Sequence, residues 1–204
     1  LEKRVRHVTP YPWGFSSFEI DTDLSQQSKF ALPHAAGVMQ DGTPFDMPGE
    51  SPLPEAIDIP ENAAGQICWL MIPIAAPNTR EADDNTSESA TRYVRSSETY
   101  IDSTSTLRIE EEIDIAHPRL TLELRKTPKP GYLGLGIARV LEVRDRNILF
   151  DDKFVPPMLL CAGHPTIEGW LNRVIGWIDT KLDELARYAV DPSSGGGLQS
   201  VDYL

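Results

Sequence analysis

Apolar and polar positions alternate along most of the first 150 residues, and the alternation is cut repeatedly by proline, glycine and Asp/Asn. Trp13–Ile20 keeps Phe15, Phe18 and Ile20 nearly in step with Trp13, the period of a strand. Asp21 to Asp23 precedes Leu24–Ser28 and suits the cap of a short helical turn. Lys29–Met39 reads as a second strand. Gln40-Asp41-Gly42-Thr43 then places Asp-Gly between apolar flanks, a strong hairpin signal, with the return strand at Pro44–Met47. Pro48–Glu61 holds several prolines and no period; it reads as an extended covering segment pinned by Ile57 and Ile59. Gln66–Ile74 is short and nearly continuous in apolar residues, as a buried central strand requires, although a buried helical turn has the same signature. Pro77–Ala90 is polar and acidic and reads as a mobile loop.

Strand signals return at Thr91–Ile101 and Leu107–Ile115. In Arg119–Lys126, Leu120, Leu122 and Leu124 face one way while Thr121, Glu123 and Arg125 face the other. Tyr132–Arg144 keeps Leu133, Leu135, Ile137, Leu141 and Val143 on one parity, interrupted by Arg139; a turn at Arg144–Asn147 leads into Ile148–Phe150. About eight or nine short strands with turn signals and no alternating helices predict a mainly β fold, an antiparallel β-sandwich, with a β-barrel as the competitor.

The period changes after residue 160. Ile167, Leu171, Val174, Ile178, Leu182, Leu185 and Ala189 fall at steps of 4, 3, 4, 4, 3 and 4. That is a long C-terminal amphipathic helix of about 25 residues, roughly 37 Å at 1.5 Å per residue. Trp170, Ile175 and Trp177 widen its apolar face, Thr166 is the expected N-cap, and Glu168 suits the positive end of the helix dipole. A stripe this wide fits a bundle better than a two-stranded coil, and left alone it exposes too much apolar surface. The expected oligomer seam is therefore Ile167, Trp170, Leu171, Val174, Ile175, Ile178, Leu182 and Leu185. The expected division is a lead-in at 1–10, a sandwich at 11–160, the helix at 165–190, and a flexible linker with the start of another helix at 191–204, where Leu198, Val201 and Leu204 recur every third residue. An opening Leu1 and this cut-off helix suggest a piece of something longer.

Composition narrows the partners. The formal net charge of −12 opposes binding to nucleic acid or to an anionic membrane surface, and points to protein partners. No stretch resembles a leader or a membrane span, and the two cysteines, Cys68 and Cys161, look like small core residues whose pairing the sequence leaves open; a reducing, cytoplasmic home is expected. No enzymatic constellation emerges. Glu110 to Glu112 and Asp114 read as a solvated strand face, and His7, His34, His117 and His164 lack metal-ligand spacing. The glycines of Gly131–Gly136 lack the strand-then-helix context of a phosphate cradle and mark close backbone approach instead. No cofactor, metal or catalytic residue is expected. A carbohydrate-binding module stacking Trp13, Tyr93 and Tyr100 on sugar rings is the competing function.

An ordered series of short motifs then bears on identity: Pro12-Trp13-Gly14-Phe15, Phe18-Glu19-Ile20-Asp21, Lys29-Phe30, Asp41-Gly42-Thr43-Pro44-Phe45-Asp46, Pro52-Leu53-Pro54, and Phe154-Val155-Pro156-Pro157 leading into the helix. From about Tyr11 onward the chain resembles the N-terminal part of the TssK family of type VI secretion baseplate subunits. The motif residues carrying this are Pro12, Trp13, Gly14, Asp41, Gly42, Pro156 and Pro157. The resemblance implies a cytoplasmic, trimeric, non-catalytic adaptor. Its β-sandwich shoulder is like that of phage receptor-binding proteins and docks on the TssF–TssG wedge. A helical bundle trimerises, and a C-terminal domain reaches TssL and TssM of the membrane complex. The chain lacks the family's first stretch, most of the bundle and that last domain, so membrane-complex binding does not carry over to these residues, and trimerisation of this portion alone stays open.

Overall fold

The computed structural model describes residues 12–78, 80–84, 91–101 and 110–190. The expected lead-in at 1–10, the Leu107–Ile109 start of a strand, and the linker and second helix at 191–204 lie outside the described residues. Twelve strands are described: β1 (Gly14–Glu19), β2 (Lys29–Phe30), β3 (His34–Val38), β4 (Pro44–Met47), β5 (Ile57–Asp58), β6 (Ile67–Pro73), β7 (Ala82–Asp83), β8 (Tyr93–Ile101), β9 (Glu110–Pro118), β10 (Thr121–Arg125), β11 (Tyr132–Arg144) and β12 (Asn147–Phe150). A short helix α1 (Thr22–Ser25) follows β1, and the long helix α2 (Pro165–Val190) ends the described chain. The fold is mainly β, with antiparallel sheets and one long C-terminal helix.

The strands form sheets in the orders β1-β3-β4, β10-β6-β11-β12, β2-β5 and β7-β8-β9; the short β7–β8 contact is the one parallel pairing among them. The predicted central strand is β6, hydrogen-bonded on both sides, by β10 and β11. Between the sheets lies one apolar core, with Phe15 from β1, Phe45 and Met47 from β4, Leu70 and Ile72 from β6, Leu122 from β10, and Leu135 and Val140 from β11. Ile59 of the covering segment is buried and Ile57 packs against the same cluster, as expected.

Several expectations change in the structure. Lys29–Met39 is two strands, because Pro33 has no N–H for a ladder and breaks the run between β2 and β3. Pro77–Ala90 is not wholly loop: β7 lies in it, and the Asp83 side chain is only 2% exposed. The single parity of β11 fails at Leu141, which is exposed while Val140 is buried. Register shifts between Gly136 and Ala138 and between Val140 and Glu142 account for this, since each added residue turns the following side chains to the other face. Arg139, which interrupted the pattern, sits between the two shifts. The helix starts at Pro165, not after a Thr166 cap: proline is favoured in the first turn, and the ring Nδ1 of His164 accepts from the Thr166 N–H at 3.3 Å. Asp21 does cap α1, its Oδ1 accepting from the Leu24 N–H at 2.8 Å. Cys68 is buried, as expected of a core residue, but Cys161 is exposed, and both are free thiols.

Candidate assembly surface and the motif junction

The stripe on α2 is the largest uncovered apolar feature among the described residues. The first turn rests near the body, where Ile167 is half-buried; from Trp170 onward the described side chains are exposed. Trp170 (52% exposed), Leu171, Val174, Ile175, Ile178, Leu182 and Leu185 all face solvent, as does Trp177 at 65%. Val174, Trp177, Ile178, Leu182 and Leu185, with the Lys181 stem, line one shallow groove of about 290 Å³ along the helix. The helix contacts the rest of the chain chiefly at a single 3₁₀ turn, Cys161–Gly163, so most of its length has no internal partner. The spacing places all eight predicted seam residues on α2, seven of them exposed on a helix that stands clear of the core. Trp177, left out of the predicted seam, belongs to the groove; its spacing of three from Val174 already marked it. Fully burying a Leu or Ile is worth about 1.5–3 kcal/mol, so even partial cover of this stripe represents on the order of 10 kcal/mol.

The motif residues meet where helix joins body. Gly14 opens β1 at φ +131°, and a Cβ there would lie 2.7 Å from the Pro157 carbonyl oxygen. Glycine is required by both the backbone angle and the contact. Phe15 N–H donates to Pro157 O at 2.8 Å, and Leu159 N–H donates back to Phe15 O at 2.8 Å. Two motifs some 140 residues apart in sequence thus form one parallel bridge, Phe15 to Met158, that clamps the lead into α2 against the first sheet. Beside it, His164 stacks on Phe18 at 6.3 Å between ring centroids. Burial there lowers the imidazole below its ordinary value.

Asp41 and Gly42 serve a second junction. Gly42 takes φ +90° in the β3–β4 turn, and Asp41 Oδ1 accepts from the Thr43 N–H at 3.1 Å. The other Asp41 oxygen is paired with Arg92, a buried guanidinium that also donates to Pro73 O at 2.5 Å and Thr43 Oγ1 at 2.6 Å. Nearby, Arg119 donates to Asp83 at 2.5 Å and to Thr91 O at 2.9 Å. These two arginines fasten the β8–β9 hairpin, which contributes nothing to the apolar core, onto the rest of the body. The sequence carried no signal for this: Asp41 and Arg92 are 51 residues apart, and isolated arginines on strands read as solvated. Glu110 to Glu112 and Asp114 on β9 are exposed, as predicted. Trp13 is half-buried and packs on the core, whereas Tyr100 is open to solvent. His34 bonds Ser17 and the Met47 carbonyl, and His117 bonds Glu98 and the Glu50 carbonyl. Among the described residues, no three metal-capable side chains group together, and no helix is long and apolar enough to cross a membrane.

Known proteins share this fold. The family described as "Bacterial Type VI secretion, VC_A0110, EvfL, ImpJ, VasE" matches residues 1–204. The chain is 27% identical over 206 aligned positions to the type VI secretion system baseplate component TssK1 of Pseudomonas aeruginosa, covering all of this chain and 46% of that protein. It therefore spans about half the length of that relative. A crystal structure of TssK superposes with a TM-score of 0.83 at 27% identity, over 95% of this chain and 44% of that one. The TssK-TssF-TssG baseplate subcomplex, seen by cryo-electron microscopy, contains a chain that matches with a TM-score of 0.80 at 19% identity, over 91% of this chain and 62% of the other; at that identity the likeness is one of fold. With its whole length matched, this chain belongs to the VasE/TssK family of bacterial type VI secretion.

Proposed function

We propose that this chain is the β body and the first bundle helix of a non-enzymatic adaptor in the type VI secretion baseplate. The body, residues 11–160, is a β-sandwich of the kind seen in the shoulders of phage receptor-binding proteins, and it docks onto the TssF–TssG wedge. The helix, 165–190, contributes its stripe to a trimeric bundle, and TssL and TssM of the membrane complex are engaged by parts of the longer protein outside this chain. The observation that carries this reading is the family match across body and helix together, in a family whose relatives include a TssK-TssF-TssG complex. The exposed stripe supports the bundle, because an apolar face of this width is covered in a stable protein.

Two measurements test it. In the full-length protein, deletion of residues 1–160 should abolish co-purification with TssF–TssG; retention of the complex would refute the docking role. Trp170→Asp or Val174→Asp should lower the mass measured by light scattering at least tenfold in association constant, since each buries a carboxylate in the seam. An unchanged mass would mean that the stripe is not a seam.

A further inference from the structure

The apolar stripe of α2 has two unlike edges. A helix turns about 100° per residue, so Ile167, Val174, Ile178 and Leu185 fall within about 40° of one another and mark the midline of the stripe. On one side of that line stand Trp170 and Trp177, both exposed, and beyond them Arg173. On the other side stand Leu171, Ile175 and Leu182, and beyond them Glu168 and Asp179. Arg173 and Asp179 lie about 120° from the midline in opposite directions. A long side chain covers that distance by laying its stem along the apolar surface. Lys181 and Glu184 also lean to the Arg173 side, but they are paired with each other at 2.6 Å. Asp183 and Arg187 fall on the back of the helix, away from both edges. One edge is therefore indole and cationic, and the other is aliphatic and anionic.

Such edges do not match themselves. Two copies related by a two-fold axis across the helices run antiparallel and set each edge on its own counterpart, indole on indole and Arg173 towards Arg173. Copies that run parallel around a common axis set each edge on the opposite edge of the next copy. A bulky side chain then meets a smaller one and a cation meets a carboxylate. Trp170 and Ile175 are five residues apart, as are Trp177 and Leu182, so one displacement along the axis serves both contacts. Charges that flank an apolar seam select partner and direction in helical assemblies. The size match and the charge match thus point to a second copy of this chain as the occupant.

We infer that copies of α2 pack parallel in a closed ring, with Trp170 and Trp177 of one copy on Ile175 and Leu182 of the next and Arg173 of one copy facing Asp179 of the next. This pairing rests on the proposed reading of α2 as a bundle helix, and adds to it the direction and the residues of the contact. The interface is of the heterologous kind, in which two different surfaces of the same chain meet and the rotation closes.

Charge reversal in the full-length protein tests it, with self-association followed by sedimentation equilibrium. An exposed ion pair is worth up to about fivefold, and reversing one sign puts like charges together at every contact of the ring, so Arg173→Asp should weaken association at least about tenfold. Asp179→Arg should do the same. The double variant Arg173→Asp/Asp179→Arg restores opposite charges and should recover most of the loss. Asp183→Arg makes the same change of charge on the back of the helix and should shift association by less than about twofold. Failure of the double variant to recover, or an equal loss in Asp183→Arg, would overturn the pairing. Cross-linking gives a readout that does not depend on charge. In a Cys161→Ser background, with Cys68 buried, Arg173→Cys/Asp179→Cys treated with a short bis-maleimide should give covalent species larger than a dimer. Each single-cysteine variant should give at least fivefold less linked product. Equal linking in the single variants would show like edges meeting, and would overturn the parallel ring. Association that is lost in Val174→Asp while both of these tests fail counts against the pairing and leaves the bundle itself standing.

Discussion

The β body and the helix are built from similar apolar residues put to opposite uses. In the body, Phe15, Leu70, Met71, Ile72 and Leu135 are wholly enclosed by sheets that close on one another. In α2, Trp170, Val174, Ile178 and Leu182 are as apolar and yet stand open. The difference lies in what each element can reach. A strand in a multi-stranded unit has neighbours on both faces, whereas α2 leaves the body through one 3₁₀ turn and has no second helix to pack on among the described residues. Core apolar residues therefore hold this chain's own fold together, and the helical ones are left uncovered by it.

The comparison can be broken at graded points. The widest separation is chemical. Burial pushes the Cys68 thiol up to about 12, so at pH 8 only about one part in ten thousand is thiolate, the reactive form. Cys161 is exposed beside the helix. A disulfide-exchange reagent should titrate one thiol per native chain and two after denaturation; rapid reaction of both in the native state would show that the body opens readily. Next comes one substitution made in both regions. Leu70→Ala should cost about 2–5 kcal/mol in denaturant unfolding, from lost transfer energy and the cavity left behind. Leu182→Ala should change unfolding of the body by less than about 0.5 kcal/mol while weakening self-association. Similar unfolding costs would mean that the helix packs on its own body.

Arg92→Met tests a polar hold within the body. It leaves the Pro73 carbonyl and one Asp41 oxygen without their Arg92 donor, and should destabilise by about 1.5–3 kcal/mol, the range for hydrogen bonds to a charged group. Loss of hairpin amide protection before global unfolding would locate the damage at β8–β9. The smallest effect belongs to His164 at the joint. Its folded value lies below the ordinary 6.5, so the unfolded chain binds the proton more readily. Stability from the neutral ring is therefore full above about pH 6.5 and is lost as the pH falls through that value towards the lower folded one. Amide exchange in the first turn of α2 should quicken slightly over that range, and His164→Phe should remove the dependence; a pH profile unchanged by that variant would assign the effect to another group.

The hairpin at Asp41-Gly42, the strand Gln66–Ile74, the alternation of Arg119–Lys126 and the stripe of α2 were legible because each rests on a local period or a turn residue. The split at Pro33 was legible in principle, since proline in a strand interior is itself a warning. Other features were not. The register shifts in β11 depend on what β6 and β12 present, and a one-residue shift reverses every side chain beyond it. Burial of Asp83 depends on Arg119, 36 residues further along the chain.

By itself, then, the sequence determined most of the longer strands, the Asp41-Gly42 turn, that a long amphipathic helix follows, and, through the ordered motifs, the family. These are consequences of spacing, side-chain shape and backbone freedom acting over a few residues. The tertiary structure alone decided that Gly14 and Pro157 form one clamp and that two arginines hold the outlying hairpin. Those features join residues far apart in the chain, and only closure of the sheets brings their charges and backbone groups within hydrogen-bonding reach.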